Sequence, residues 1–322
     1  MHRNTQLVDA HGPSGHSLAT MARTGMALAL CAGMTLSFAS MAQTAPVAQT
    51  PTAHAPVTAA SASGFTAAQT DTVLAGSWRS SEHRARDAYR HPAATLQFFG
   101  VSPGQTVIEI TPGGGWYSEV LAPLLASNGN YIAAVAAAPK DAESKRDENS
   151  LKRKFQSDAA HYGHATVREF DPHAPVFGAP GSADVVLTFR NVHNWVMGDN
   201  APTMFQAFFA VLRPGGVLGV VDHRADPKAS ADAVKGSGYL RTADVVQLAT
   251  AAGFKLAQSS EINANPRDTR DHAKGVWTLP PTYALGATDK ARYAAIGESD
   301  RMTLRFVKPE QTDGTAVSQA AR

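Results

Sequence analysis

Cysteine is nearly absent from this chain: Cys31 is the only one in 322 residues. A disulfide scaffold, a Cys-based zinc site and an iron–sulfur cluster within one chain are thereby excluded. Charge is scarce and balanced. Charged residues make up 17%, and 29 Lys and Arg stand against 27 Asp and Glu. No broad basic field arises from that balance, so nucleic acid is not expected as a partner. Aromatic residues reach only 7%. Low charge with few aromatics excludes a charge-rich disordered chain, while Ala/Pro/Thr-rich stretches remain compatible with disorder. The apolar run Met26–Phe38 has 13 residues, short of the roughly 20 that span a bilayer, so no membrane span is expected in the mature chain.

What the chain does have is a hydrophobic content of 43% and a length suited to one domain with extensions. Arg23, the run Met26–Phe38 and the small residues Ser40 and Ala42 before a cut after Ala42 form the three parts of a secretory signal over residues 1–42. Met21 is an alternative start to Met1. Leu30 occupies the place where a lipoprotein signal before Cys31 needs a small residue. Residues 43–75 are rich in Ala, Pro, Thr, Gln and Ser and are expected to be a flexible tether, since they bury too little apolar surface to offset their ordering entropy. The folded domain is expected over 76–310, followed by a polar tail over 311–322, and the signal points to a periplasmic or secreted protein.

Within the domain, strands alternate with helices. Apolar runs predict strands at 106–110, 131–136, 165–170, 184–190, 217–222, 254–262 and 302–308, with helices over 80–99 (broken at Pro92), 117–126, 141–162, 201–212 and 242–252. This pattern predicts an α/β fold with a doubly wound, mostly parallel sheet. Nearly forty residues separate the last two strands, too many for a turn, so that stretch is expected to be a functional or packing insertion.

The sharpest motif is Glu109-Ile-Thr-Pro-Gly113-Gly114-Gly115-Trp-Tyr, where a strand ends in an acid and a Gly-rich turn opens a helix. Such a turn lets a ligand approach the backbone and the first helical N–H groups, although a plain strand–helix turn shares the same composition. Together with Leu212-Arg-Pro-Gly-Gly-Val-Leu218, Phe170-Asp171 and Phe189-Arg-Asn-Val-His-Asn-Trp195, it resembles the class I S-adenosylmethionine-dependent methyltransferases, and the Pro-Gly-Gly-Gly-Trp-Tyr form resembles a secreted bacterial subgroup. The resemblance covers 84–308. It implies a Rossmann-like seven-stranded sheet of order 3-2-1-4-5-7-6 with an antiparallel seventh strand, and S-adenosyl-L-methionine as cofactor. Glu109, Gly113, Gly114, Gly115 and Asp171 match its cofactor-binding positions, and His193 and Asn191 lie where the family often places catalytic residues. It implies a methyl acceptor, taken here as a small molecule.

The chain departs from the family in two places. Thr111 replaces the first glycine, and Val135 stands near the end of the second strand where an acid normally grips the ribose. Losing that contact costs about 1.5–3 kcal/mol, or roughly ten- to a hundredfold in affinity. A catalytically silent secreted binding protein on the same fold is therefore the alternative to an exported methyltransferase.

Each candidate side chain carries two readings. His193 is a general base or a histidine satisfied locally. Asn191 holds an acceptor oxygen or caps a helix. Trp195 walls a pocket or packs, and Trp116 and Tyr117 cover the cofactor or fill the core. Asp222 and His223, with His193, are the residue types of a metal site, but their spacing is no known ligand pattern and no metal is assigned. Arg86, Asp87 and Tyr89 lie on a polar helix that is a solvated face or, by the resemblance, a lid. The segment 277–283 completes an acceptor pocket or covers the sheet edge.

Overall fold

The computed structural model describes residues 64–137 and 145–310. The signal, most of the tether and the tail lie outside the described residues, as do Asp141 and Glu143, the acids after Val135 that are the candidates to replace the missing ribose contact.

Seven strands form the sheet: β1 Thr106–Ile110, β2 Asn130–Ala136, β3 Ala165–Phe170, β4 Ala183–Phe189, β5 Leu212–His223, β6 Lys255–Ser260 and β7 Arg301–Val307. Their spatial order is 3-2-1-4-5-7-6. The five strands from β3 across to β5 pair in parallel, and β7 runs antiparallel to both β5 and β6. This is the expected α/β topology.

The strand period of two divides the core into two faces. Ile108, Ile110, Val186 and Leu218 pack with Met204, Phe205 and Phe208 of α9 (Ala201–Val211) and with Val245 of α10 (Thr242–Ala251). Val107, Val185 and Leu187 pack with Phe99 of α4 (Pro92–Phe99) and with Val120 and Leu121 of α5 (Ser118–Leu125). β1 and β4 are covered on both sides, which is why they read as near-continuous apolar runs. Leu256 on the edge strand β6 is 42% exposed.

Three expectations need correction. Residues expected to belong to the tether form α1, Ala67–Leu74, closed at its start by a reciprocal Thr66–Gln69 capping box and anchored by Val73 in the core. The first long helix is three pieces: α2 Ser81–Ala85, α3 Asp87–Arg90 and α4, with His91 in the left-handed region (φ 42°) just before Pro92. The surface helix divides into α6, Lys145–Ser157, and α7, Ala159–Tyr162, because Asp158 caps a new start. Among the described residues, no helix is long and apolar enough to cross a membrane.

The topology decides where chemistry collects. Parallel strands β1, β4 and β5 present their carboxyl ends to one edge of the sheet. Because β7 is antiparallel, its entrance, Glu298–Asp300, reaches that same edge, with Arg301 opposite His223.

Candidate active site

The turn after β1 is bent by three residues in the left-handed region: Thr111 (φ 52°), Gly113 (φ 57°) and Gly115 (φ 78°). Threonine there costs about 1–2 kcal/mol relative to glycine. It is held by its N–H donating to the Ala134 carbonyl at 2.8 Å. Asn191 supports the same turn, since its Nδ2 donates to the carbonyls of Ile110 (3.0 Å) and Thr111 (3.2 Å). Asn191 makes no side-chain cap of the helix it precedes, α8 (Val192–Met197). The amide nitrogen of this expected catalytic residue thus positions the glycine turn, and its side chain also lines the cavity beside that turn.

The three glycines differ in what they do. A Cβ on Gly113 or Gly114 meets nothing within 4 Å, whereas one on Gly115 would lie 2.7 Å from Leu151 Cδ1. Gly115 lets α6 pack closely, and Gly113 and Gly114 border a cavity of about 190 Å³. Glu109, Arg86, Arg90, Trp116 and Arg190 also line it. Glu109 is 2% exposed. It accepts from Tyr131 Oη at 2.5 Å and from Ser118 Oγ at 3.4 Å. Burial pushes its carboxyl up to about 7, against the opposing pull of those two hydroxyls and Arg90.

Asp171 does not reach this cavity. It is exposed, and its Oδ1 accepts from the His173 N–H at 2.8 Å, closing a local turn. Val135 is buried in the apolar core, so no carboxylate stands there. S-adenosylmethionine is therefore matched in part. The open glycine cradle and the buried Glu109 fit a ligand laid against the turn, while Asp171, matched to the adenine position, is not brought to it and no acid stands at the ribose position among the described residues.

The helices before β1 cover Trp116. Its Nε1 donates to the His83 carbonyl at 3.0 Å, and the Arg90 guanidinium lies 4.6 Å from its ring centre. Arg86 lines the cavity, Asp87 forms a two-pronged pair with Arg79 at 2.7 Å, and Tyr89 packs on Gly297. Tyr117 stacks on Phe189 at 3.6 Å and is buried. Trp195 packs on Phe208 in the core.

At the ends of β4 and β5, His193, Asp222 and His223 converge, all buried, with their candidate ligand atoms within 4.8 Å of one another. Asp222 Oδ1 accepts from His193 Nδ1 at 2.9 Å and from the His223 N–H at 2.7 Å, while Oδ2 accepts from the His193 N–H at 3.3 Å. His223 Nδ1 bonds Ser299 Oγ at 2.5 Å. Burial, helped by His193, Arg190, Arg301 and Arg90, holds the His223 imidazole well below its ordinary range, so it is neutral. The same guanidiniums oppose a dication, and the oxygens of Asp222 already hold hydrogen bonds. The cluster reads as an oriented histidine with its carboxylate.

Arg190, His223, Trp277, Pro280 and Pro281 line a second cavity of about 230 Å³, with His193 and Glu298 on its wall. The insertion before β7 thus completes a pocket. A cleft of about 890 Å³ lined by Val196, Met197 and Leu248 also reaches His193. Arg190 borders both the glycine-turn cavity and the second one.

Sequence reasoning gave no role to Arg190, Glu298 or Ser299, and read Arg90 only as part of the polar set on the first helix. Glu298 is 3% exposed and faces Arg86 (2.6 Å), Arg90 (3.1 Å) and Arg301 (3.1 Å), which hold its carboxyl down at about 2 against burial. The available signal was the run of four polar residues Glu298-Ser-Asp-Arg301 directly before an apolar strand.

No family model matches the chain, and no curated protein matches it. Solved structures do. A candidate sarcosine dimethylglycine methyltransferase from Galdieria sulphuraria is 13% identical, with a TM-score of 0.51 over 71% of this chain and 88% of that one. The [4+2]-cyclase SpnF is 14% identical, with a TM-score of 0.50 over 73% and 85%. An S-adenosylmethionine-dependent methyltransferase from Aquifex aeolicus is 13% identical, with a TM-score of 0.48 over 70% and 93%. With the strand order 3-2-1-4-5-7-6 and the glycine turn after β1, the fold of this chain is that of the class I S-adenosylmethionine-dependent methyltransferases.

Proposed function

We propose that the protein is an exported S-adenosylmethionine-dependent methyltransferase acting on a small-molecule acceptor. One observation carries the reading: the His193–Asp222 pair stands beside Arg190, which borders the glycine-turn cavity. When bound, S-adenosylmethionine supplies an electrophilic methyl group on a sulfonium sulfur. Gly113, Gly114 and Glu109 would hold it. The Asp222 oxygens also accept from two backbone N–H groups, so in the pair with His193 the imidazole Nδ1 is the donor and Nε2 is left as the base. His193 then takes the proton that the acceptor loses, and Asp222 stabilises the imidazolium. Trp277 and the two prolines wall the acceptor away from water. Export rests on the signal pattern of residues 1–42, and a chain isolated outside the cytoplasm should begin near Gln43.

The test is calorimetric titration of the chain from Gln43 with S-adenosylmethionine and S-adenosylhomocysteine, in the native sequence and in Gly114→Val. Binding lost in the variant supports the reading, and no binding at millimolar ligand overturns it. The second reading, a silent binding protein, is favoured by the exposed Asp171 and by Val135. SpnF, described as a [4+2]-cyclase, is a reminder that fold alone does not fix chemistry.

A further inference from the structure

Charge around the two small cavities is unbalanced. Arg86, Arg90 and Arg301 all pair with one carboxylate, Glu298. Arg190 is within electrostatic reach of Glu298, Arg301, Arg86 and Asp222, yet its guanidinium makes no side-chain hydrogen bond or ion pair among the described residues. Two further groups are left over. Nη2 of Arg90, in a side chain 4% exposed, and Nη2 of Arg86 are buried without a partner. Four guanidiniums thus face two anionic carboxylates, Glu298 and Asp222. Asp222 is already engaged by His193 and by backbone N–H groups. The third acid, Glu109, is bonded to Tyr131 and Ser118.

Buried donors without partners are costly, and arginine forks match oxyanions. S-adenosylmethionine carries one carboxylate against a sulfonium and an ammonium, so its net charge does not offset this surplus. Arg190 is placed to receive an anion, at the boundary of the cavity that holds His193, His223 and the flat wall of Trp277.

We propose that the second cavity binds an oxyanion, a carboxylate or phosphate group carried by the methyl acceptor, on Arg190, the one guanidinium that lines it among the described residues; Arg86 and Arg90 line the glycine-turn cavity that Arg190 also borders. The assignment to the acceptor rests on the methyltransferase reading; the oxyanion site itself does not. An anion held there brings the reacting atom of a small acceptor toward His193 and offsets the positive charge that the cofactor adds.

The experiment is calorimetric titration of the chain from Gln43 with benzoate and phenyl phosphate, and with neutral benzamide as the matched control. At least one anion should bind about tenfold or more tightly than benzamide. Arg190→Gln should erase that preference while a single cooperative thermal transition shows the fold retained, since the side chain makes no hydrogen bond or ion pair among the described residues, and Arg190→Lys should restore part of it. Equal affinity for anions and benzamide, or an unchanged preference in Arg190→Gln, overturns the proposal. Repeating the titration with saturating S-adenosylhomocysteine separates the sources. Undiminished anion binding supports an acceptor site, and competition overturns it by assigning the arginines to the amino-acid end of the cofactor. If the anions bind selectively but S-adenosylhomocysteine does not bind at all, the methyltransferase reading fails and the oxyanion site stands.

Discussion

Asp222 on β5 holds His193 at the start of α8 twice, once through the imidazole Nδ1 at 2.9 Å and once through the backbone N–H at 3.3 Å. The carboxylate therefore fixes both the ring and the turn that carries it. It also leaves one ring nitrogen unbonded to Asp222, and that nitrogen is what a general base requires.

His193→Ala should slow methyl transfer about 10²- to 10⁴-fold while leaving cofactor affinity unchanged. The rate is read as S-adenosylhomocysteine released, and cofactor affinity by calorimetry. Asp222→Asn should also change the imidazole tautomer, which nitrogen-15 chemical shifts report. An unaltered rate in both variants would make the pair structural.

Adjacent glycines should fail in different ways. Gly114→Ala projects a methyl into open space beside the cavity and should weaken cofactor binding with little effect on the melting temperature. Gly115→Ala meets Leu151 and a positive φ, so it should lower stability by about 1–3 kcal/mol. Thermal melts and titrations on the two variants separate the roles.

Asn191→Ala removes the donor to the Ile110 and Thr111 carbonyls. The unpaired carbonyls should cost about 1–3 kcal/mol, and the left-handed Thr111 should lose its support. The expected signature is weaker cofactor binding and a lower melting temperature, with the His193 tautomer unchanged.

Glu109 predicts a pH dependence. Its carboxyl is raised from 4.5 to about 7 by burial. Between those values the folded state binds a proton that the unfolded state has released, so stability falls as pH rises. The loss is about 3 kcal/mol, complete above pH 7 and absent below 4.5. Denaturant titrations from about pH 4.5 to 8 should show this slope, and Glu109→Gln should flatten it.

Much of the architecture was legible because buried parallel strands are written as apolar runs. β1 and β3 occupy the residues expected from composition, and the glycine turn after β1 announced the sheet edge. α1 was hidden because its Ala/Thr composition resembles a tether, although the Thr66–Gln69 box was present. The site was less legible. Asp171 sits where the pattern asks for an acid, but chain position does not say which way a carboxylate turns, and the His173 N–H claims this one. The arginine cluster joins Arg86 and Arg90 to Glu298, 212 and 208 residues away, a pairing that no local pattern encodes. His193, Asp222 and His223 were grouped in the sequence as the residue types of a metal site. The hydrogen bond between His193 and Asp222 was not legible, because it depends on β4 and β5 lying side by side.

The placement of Trp116 and Trp277 has an optical consequence. The chain has four tryptophans. Trp116 borders the glycine-turn cavity and lies beneath a guanidinium, and Trp277 walls the second cavity. Trp195 and Trp78 line neither, with Trp78 stacked on His161 at 4.0 Å. Indole emission is therefore divided between two chambers. A ligand entering the first should perturb the emission that Trp116→Phe removes, and a ligand entering the second the emission that Trp277→Phe removes. The order in which two ligands arrive becomes readable as a succession of spectral changes in the unlabelled protein.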